Sequence, residues 1–370
     1  MVKLAWRNLV QERARLWISV AGIAFALVLI LIIGGIFAGS EEYAVAYINN
    51  VPAPLWLAQT GVENMHMSSS YLPPETARMV ETIPGVEDQA GVLYGGGGVG
   101  IGDATVSSYI IGVDAATSLG GPWDLVEGSR RIGTDEVIVD YLLADRYELQ
   151  LGDTVRLFDR DLVIVGLSRG TFGIATSIAF VNKAFLAEVM GIPPDSAAYI
   201  LIRPEPGEDL VKLAETLSAQ IPNADVLTQS ELASSDKELI RQMGADIIRA
   251  MSFIAYVVGM LVIGLTIYIG TLERAREYGV LKAIGANNAQ LSGVVLAQSF
   301  LSAALGIILG VAIAFLAAAL ITWIYPDMLV LIRPYEIIRQ IPILIFVTGV
   351  AALLPLSRIA TLDPMIAFKA

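Results

Sequence analysis

The sequence predicts a multi-pass α-helical membrane protein, with four transmembrane helices and a large α+β extracytoplasmic domain inserted between helices 1 and 2. Three observations carry this. Of 370 residues, 55% are hydrophobic and only 16% charged, with a mean hydropathy of +0.65, whereas soluble domains carry about 25% charged residues. Four stretches lack any charge: 25 residues between Arg15 and Glu41, 23 between Arg249 and Glu273, 44 from Ala283 to Pro326 and 18 from Gln340 to Ser357. Residues 41–249, by contrast, carry ordinary charge and the short periodicities of a water-soluble domain.

Residues 1–15 mix Leu4, Trp6, Leu9 and Val10 with Lys3, Arg7, Arg13 and Arg15, the pattern of a short amphipathic segment at the cytoplasmic interface. The next run, 16–40, ends in the small residues Ala38, Gly39 and Ser40 but exceeds the ~7–15 residues of a signal-peptide core. It reads as an uncleaved first span. Crossing hydrocarbon takes about 20 residues, so residues 250–272 supply the second. No polar or proline turn interrupts the residues between Ser302 and Ile321. The third span, 293–325, is therefore one long helix, longer at ~1.5 Å per residue than the bilayer core is thick. The fourth span is 341–357.

Short cytoplasmic segments are enriched in Lys and Arg. Four spans bring together the basic N-terminal segment, Arg274, Arg276 and Lys282 of the 273–292 connection, and Arg358 and Lys369 of the 358–370 tail. Both termini are thus expected in the cytoplasm, the loop 326–340 outside, and the formal charge of −12 is concentrated in the outer domain.

In that outer domain, residues 73–93 read as a proline-started helix, an Ile83-Pro84-Gly85 turn and a strand, and residues 207–227 repeat the pattern around Ile221-Pro222. A strand at 197–205 precedes the second copy, which suggests a lobe built from two halves. Between the copies, residues 136–167 read as a strand, a short helix, a Gly152-Asp153 turn and a two-stranded hairpin, a second and smaller β-rich subdomain.

Several chemistries are excluded or weak. The acidic balance argues against nucleic acid as a partner. With no cysteine and one histidine, His66, disulfides, thiolate chemistry and multi-His metal sites are absent. Met65-His66-Met67 offers soft donors for Cu(I), but three adjacent residues on a strand alternate sides. The glycines of residues 95–102 lack the Gly-Lys-Ser/Thr of a P-loop and read as a flexible turn or strand edge. The chain is therefore expected to bind no cofactor or metal, to have no catalytic residues and to hydrolyse no ATP itself. Paired acids such as Glu41-Glu42 and Glu208-Asp209 read as solvated surface or helix N-termini.

The spans have no interior charge, which argues against a proton carrier or ion channel. They carry small residues instead: Gly35 and Gly39 in the first, and Ser302, Gly306, Gly310, Ala314 and Ala318 at intervals of four in the third. Such spacing lets helices approach closely, within one bundle or across a dimer. Residues 271–291 begin with charges at the lipid boundary, continue as a short helix with Tyr278, Leu281 and Ile284 on one side, and stop at Gly285. This element reads equally as a docking helix or as a loop satisfying the positive-inside bias.

The segment ERAREYGVLKAIGA, residues 273–286, closely resembles the coupling-helix motif of the MacB/LolC/FtsX-type ABC transporter permeases. The start at 4–27, the outer segment VIVDYLLADRYELQLGDTVRL and the Leu-Asp-Pro tail at 358–370 are similar to the same family, with a DevC-like N-terminal region. The resemblance implies a permease subunit, homodimeric or paired with a second permease chain, working by mechanotransmission in a prokaryotic inner (cytoplasmic) membrane. ATP and Mg²⁺ would bind a separate cytoplasmic ATPase. Glu273, Arg274, Arg276, Glu277, Tyr278, Gly279, Lys282 and Gly285 would form the ATPase-contacting coupling helix. The cargo would be a lipid, lipoprotein, peptide or amphiphilic small molecule, exported or extracted with a periplasmic adaptor. The alternative is an FtsX-like signalling subunit regulating an extracytoplasmic partner such as a cell-wall hydrolase; a membrane-anchored enzyme lacks a nucleophile and base.

Overall fold

The computed structural model describes residues 13–114, 119–173, 177–273 and 275–353. The start at 1–12, Arg274 and the tail at 358–370 lie outside the described residues. The chain divides into two compact units: a sheet unit, Gly39–Met243 with Pro326–Leu329, and a helical unit drawn from Met1–Ala38, Gly244–Tyr325 and Val330–Ala370.

Ten strands of the sheet unit form one mixed sheet in the order β10-β1-β9-β2-β3-β8-β5-β7-β4, with β6 alongside β2 and β7. In chain order, the first half contributes β1 (Leu55–Gln59), α3 (Pro74–Glu81), β2 (Val86–Ile101) and β3 (Ala104–Val113) after the short α2 (Ala46–Asn50). There follow β4 (Leu125–Gly128), β5 (Glu136–Asp140), α4 (Tyr141–Arg146), β6 (Thr154–Leu157), β7 (Arg160–Ser168), β8 (Ser177–Asn182) and α5 (Lys183–Met190). The last pieces are β9 (Tyr199–Pro204), α6 (Leu210–Gln220) and β10 (Ala224–Thr228).

The two helix–turn–strand copies lie in β1-α3-β2 and β9-α6-β10, interleaved as an antiparallel β10-β1-β9-β2 sheet, the split β-α-β arrangement. Both turns need a left-handed residue after the proline. Gly85 supplies it in one (φ 91°) and Asn223 in the other (φ 58°). Val80 of α3 and Leu213 and Leu217 of α6 bury together with Ile83, Ile200 and Ile221 under this half-sheet.

Residues 136–167, expected as a second and smaller β-rich subdomain, form β5, α4, β6 and β7, which share one sheet with the first half. At 16 residues, β2 is long enough to pair with β9 through Val92 and with β3 from Leu93 onward. One strand thereby joins both halves. Residues 95–101 of the glycine run lie inside β2, paired to β3 on one side and to β6 at Gly100 on the other, and Gly102, at φ 56°, turns the chain into β3. A second core, with Leu143, Leu162, Ile164 and Phe185, fills the far half, and a third containing Trp56, Phe180 and Tyr199 covers the other face.

Four helices are long and apolar enough to cross a membrane: α1 (Arg13–Ala44), α7 (Gln229–Glu273), α9 (Asn288–Ile324) and α10 (Pro334–Ala351). The third apolar stretch is indeed a single helix of 37 residues, started by a capping box between Asn287 and Gln290. Between α7 and α9 lies α8 (Ala275–Ala283).

Candidate functional site

Helix α8 is set by local chemistry at its end. The amide of Ala286 bonds the Leu281 carbonyl at 2.9 Å, and that of Gly285 bonds Lys282 at 3.0 Å, a Schellman stop. This puts Gly285 at φ 106°, which a side chain rarely tolerates. Gly285 is therefore a helix terminator. Tyr278 is buried against Leu291 and Val295, beside Ile267 and Leu281, and so fastens α8 to the bundle. Tyr278 and Gly279 both face inward, whereas Glu273, Arg276, Glu277, Val280 and Gly285 are exposed and Lys282 is half-buried. Ile284, grouped with Tyr278 by the sequence pattern, is instead 76% exposed, because at 3.6 residues per turn a spacing of three drifts and leaves Ile284 about 120° round the helix from Tyr278. The outward surface of α8 is thus charged, with an apolar spot at Val280 and Ile284.

Small residues of α9 sit where the sequence pattern put them on one face. Ser302, Gly306, Gly310, Ala314 and Ala318 are all buried. A Cβ on Gly306 would come within 2.7 Å of Ile23, and one on Gly310 within 3.0 Å of Ala24, so this seam fits α1 of the same chain. Gly35 accepts a hydrogen bond from the Leu331 amide at 2.9 Å, and Gly39 presses against the Leu329 carbonyl. Tyr256 donates to Gln340, a polar pair between α7 and α10.

The sheet-unit end of α7 is pinned by contacts that sequence reasoning missed. Thr228 and Glu231 cap each other across its first turn, and the Thr228 amide and hydroxyl hold the Glu231 carboxyl below its ordinary range. The Gln229 side chain donates from Nε2 to the carbonyls of Ile48 and Val51 at 2.6 and 2.9 Å. Fully buried Asp236 accepts from the amides of Met65 and His66 and meets His66 Nδ1 at 3.0 Å. Met65-His66-Met67 is therefore a loop wrapped on this carboxylate, and a strand carrying alternating metal donors is not formed. Glu41 and Glu42, expected as solvated acids, pair with Arg241 at 3.3 Å and Lys237 at 2.8 Å, and Glu41 is buried. Among the described residues no group of three His, Cys, Asp or Glu could hold a metal ion.

Comparison with known proteins agrees with this architecture. Residues 16–220 match the MacB-like periplasmic core domain and residues 249–364 the FtsX-like permease C-terminal domain. The chain is 23% identical to an uncharacterized ABC transporter permease of Mycobacterium tuberculosis, over 100% of this chain and 99% of the relative. It is 22% identical, over 98% of each chain, to a Staphylococcus haemolyticus permease whose name places it in a hemin transport system. Among solved structures, the periplasmic region of MacB from Actinobacillus actinomycetemcomitans aligns with a TM-score of 0.39 and 10% identity, over 51% of this chain and 94% of that one. The chain belongs to the ABC transporter permeases of the MacB/FtsX type, with a MacB-like periplasmic core domain followed by an FtsX-like permease domain.

Proposed function

We propose that this permease subunit couples a separate cytoplasmic ATPase to movement of its sheet unit outside the membrane, and that α7 is the coupling rod. The observation that carries the reading is the continuity of α7. Forty-five residues run without a break from Gln229, anchored in the sheet unit, to Glu273 beside α8, about 68 Å at 1.5 Å per residue. A helix transmits displacement along its axis because every turn is hydrogen-bonded to the next. In this arrangement residues 41–249 and 326–340 lie outside, the termini and 273–292 inside, and Arg276, Glu277, Val280 and Ile284 meet the ATPase. Tyr278 and Gly285 hold α8 in position. ATP and Mg²⁺ bind to the partner.

Residues 16–40, 250–272, 293–325 and 341–357 contain no charge to carry an ion across, which supports work done on a substrate outside the membrane or in its outer leaflet. An amphiphile fits: a lipid, lipoprotein, peptide or amphiphilic small molecule. The relative named for hemin transport supports the last of these. Two copies of the permease, with a periplasmic adaptor, complete the assembly.

Copurification tests the docking surface. The chain expressed with its ATPase should copurify and raise ATP turnover. Glu277→Lys and Arg276→Glu reverse exposed charges, and each should reduce complex recovery about tenfold. Unchanged recovery in both variants would contradict the assignment.

A further inference from the structure

One side of β2 is paired to β3 without a break from Leu93 to Ile101. The other side is shared by two strands that do not meet. There β2 pairs with β9 as far as Val92–Tyr199, and next with β6 at Gly100–Arg156. β6 goes no further along this edge, because Phe158 and Asp159, at φ 47° and 65°, turn the chain into β7.

In an antiparallel ladder each residue turns its N–H and its C=O to the same side, and successive residues alternate. The Ala198 amide reaches the Val92 carbonyl at 2.8 Å, so Val92 faces the β9 side. The register with β3 does not shift along β2, so the alternation holds as far as Gly100. Tyr94, Gly96 and Gly98 therefore turn their backbone amides and carbonyls into the interval between the start of β9 and the end of β6. No hydrogen bond joins these backbone groups to another described residue. The interval also lacks the usual protections of an exposed edge, since residues 93–99 contain no charge, no proline and no bulge.

The glycines are an independent sign. Glycine weakens a strand interior, where it often marks the close approach of another backbone. A Cβ on Gly95 would come within 3.1 Å of Met190, on Gly97 within 2.9 Å of Phe158 and on Gly98 within 2.5 Å of Thr105. Packing inside the chain thus accounts for these three. It does not account for Gly96, which is exposed, has no positive φ and would place a Cβ with nothing inside 4 Å. Gly96 is the centre of the unpaired interval.

We propose that this edge of β2 is a strand-addition site for an extended peptide segment of another protein, hydrogen-bonded to the backbone of Tyr94, Gly96 and Gly98. Over Gly96 the added strand meets no side chain, so an aromatic residue of the segment covers the bared backbone there. The site stands on the sheet unit alone and does not depend on the coupling reading.

The probe is a fluorescein-labelled heptapeptide of alternating threonine and tyrosine, titrated by anisotropy against the full chain in phosphatidylcholine nanodiscs, with empty nanodiscs as the blank. Two further forms are N-methylated, one on the tyrosine amides and one on the threonine amides. With tyrosine over Gly96, the tyrosine amides face β2. Their methylation should weaken binding about tenfold or more, and methylation of the threonine amides should not. Gly96→Pro removes a donor from the open edge and none from the ladder with β3, and should weaken binding about fivefold, the worth of one hydrogen bond. Gly96→Ala, whose Cβ has room, should bind and melt like the wild type. In the wild type the bound peptide should slow hydrogen exchange across residues 93–99. Equal binding of the two methylated forms, undiminished binding by Gly96→Pro, unchanged exchange across 93–99, or no saturable binding above the blank would each overturn the proposal.

Discussion

The sheet unit and the helical unit bury their large side chains in opposite ways. In the sheet unit Trp56, Phe180, Phe185 and Tyr199 are essentially fully buried. In the helical unit Phe253, Leu316, Phe346 and Trp323 stand 68–78% exposed, while Gly306, Gly310 and Ala314 are buried. Water drives the first pattern, because each buried apolar side chain leaves it. In lipid that driving force between helices is absent, and close approach through small residues replaces it. The contrast is consistent with a chain built for two solvents, water around the sheet unit and lipid around the apolar helices.

Substitutions that break each pattern should damage different units. Phe180→Ala leaves a hole beside Tyr47, 6.3 Å away between rings, and should destabilise the sheet unit by about 3–5 kcal/mol. Hydrogen exchange should accelerate across β3, β5 and β8 and remain unchanged in α9. Gly306→Leu does the reverse. Its side chain would drive into Ile23, an overpacking worth about 1–3 kcal/mol, and proteolysis in nanodiscs should open α1 and α9 while the sheet unit stays protected.

A smaller effect sharpens the electrostatic side. Asp140 is buried at the start of α4, accepting from the amides of Leu142 and Thr171 and from the Thr171 hydroxyl. Burial outweighs these bonds and raises its carboxyl above the ordinary 3.8. The folded state then holds this proton more tightly than the unfolded chain does, so the contribution is greatest below that value and is lost as pH rises through the raised one. Asp140→Asn should flatten this component of the stability profile of the sheet unit above pH 3.8. A steeper decline in the variant would show that the sign is wrong.

How much of this was legible depends on the distance along the chain over which each signal acts. Charge-free runs and helix stops are local, so the four apolar helices, the single long α9 and the Gly285 stop could be read directly. The Ile-Pro turns gave both helix–turn–strand copies for the same reason. The anchoring of α7 could not be read, because Asp236 meets His66 across 170 residues and Arg241 meets Glu41 across 200. Paired acids in a sequence look solvated whether or not a distant Arg covers them. The change of partner along β2 was equally hidden: its two halves carry no local mark of which strand lies beside them. On α8, spacing grouped Ile284 with Tyr278, but steps of three residues drift round a helix of 3.6 per turn, and Ile284 is exposed.

The central claim is that α7 transmits movement as one rigid element. Asp246→Pro tests it at an exposed position, removing a backbone donor and breaking the helix between its anchor and α8. The measurement is hydrogen exchange in nanodiscs, with the ATPase bound, before and after adding ATP. The account predicts that ATP changes exchange at residues 62–67 and 229–243 in the wild type, and that Asp246→Pro still binds the ATPase but loses this response. An identical response in the variant would contradict transmission through α7.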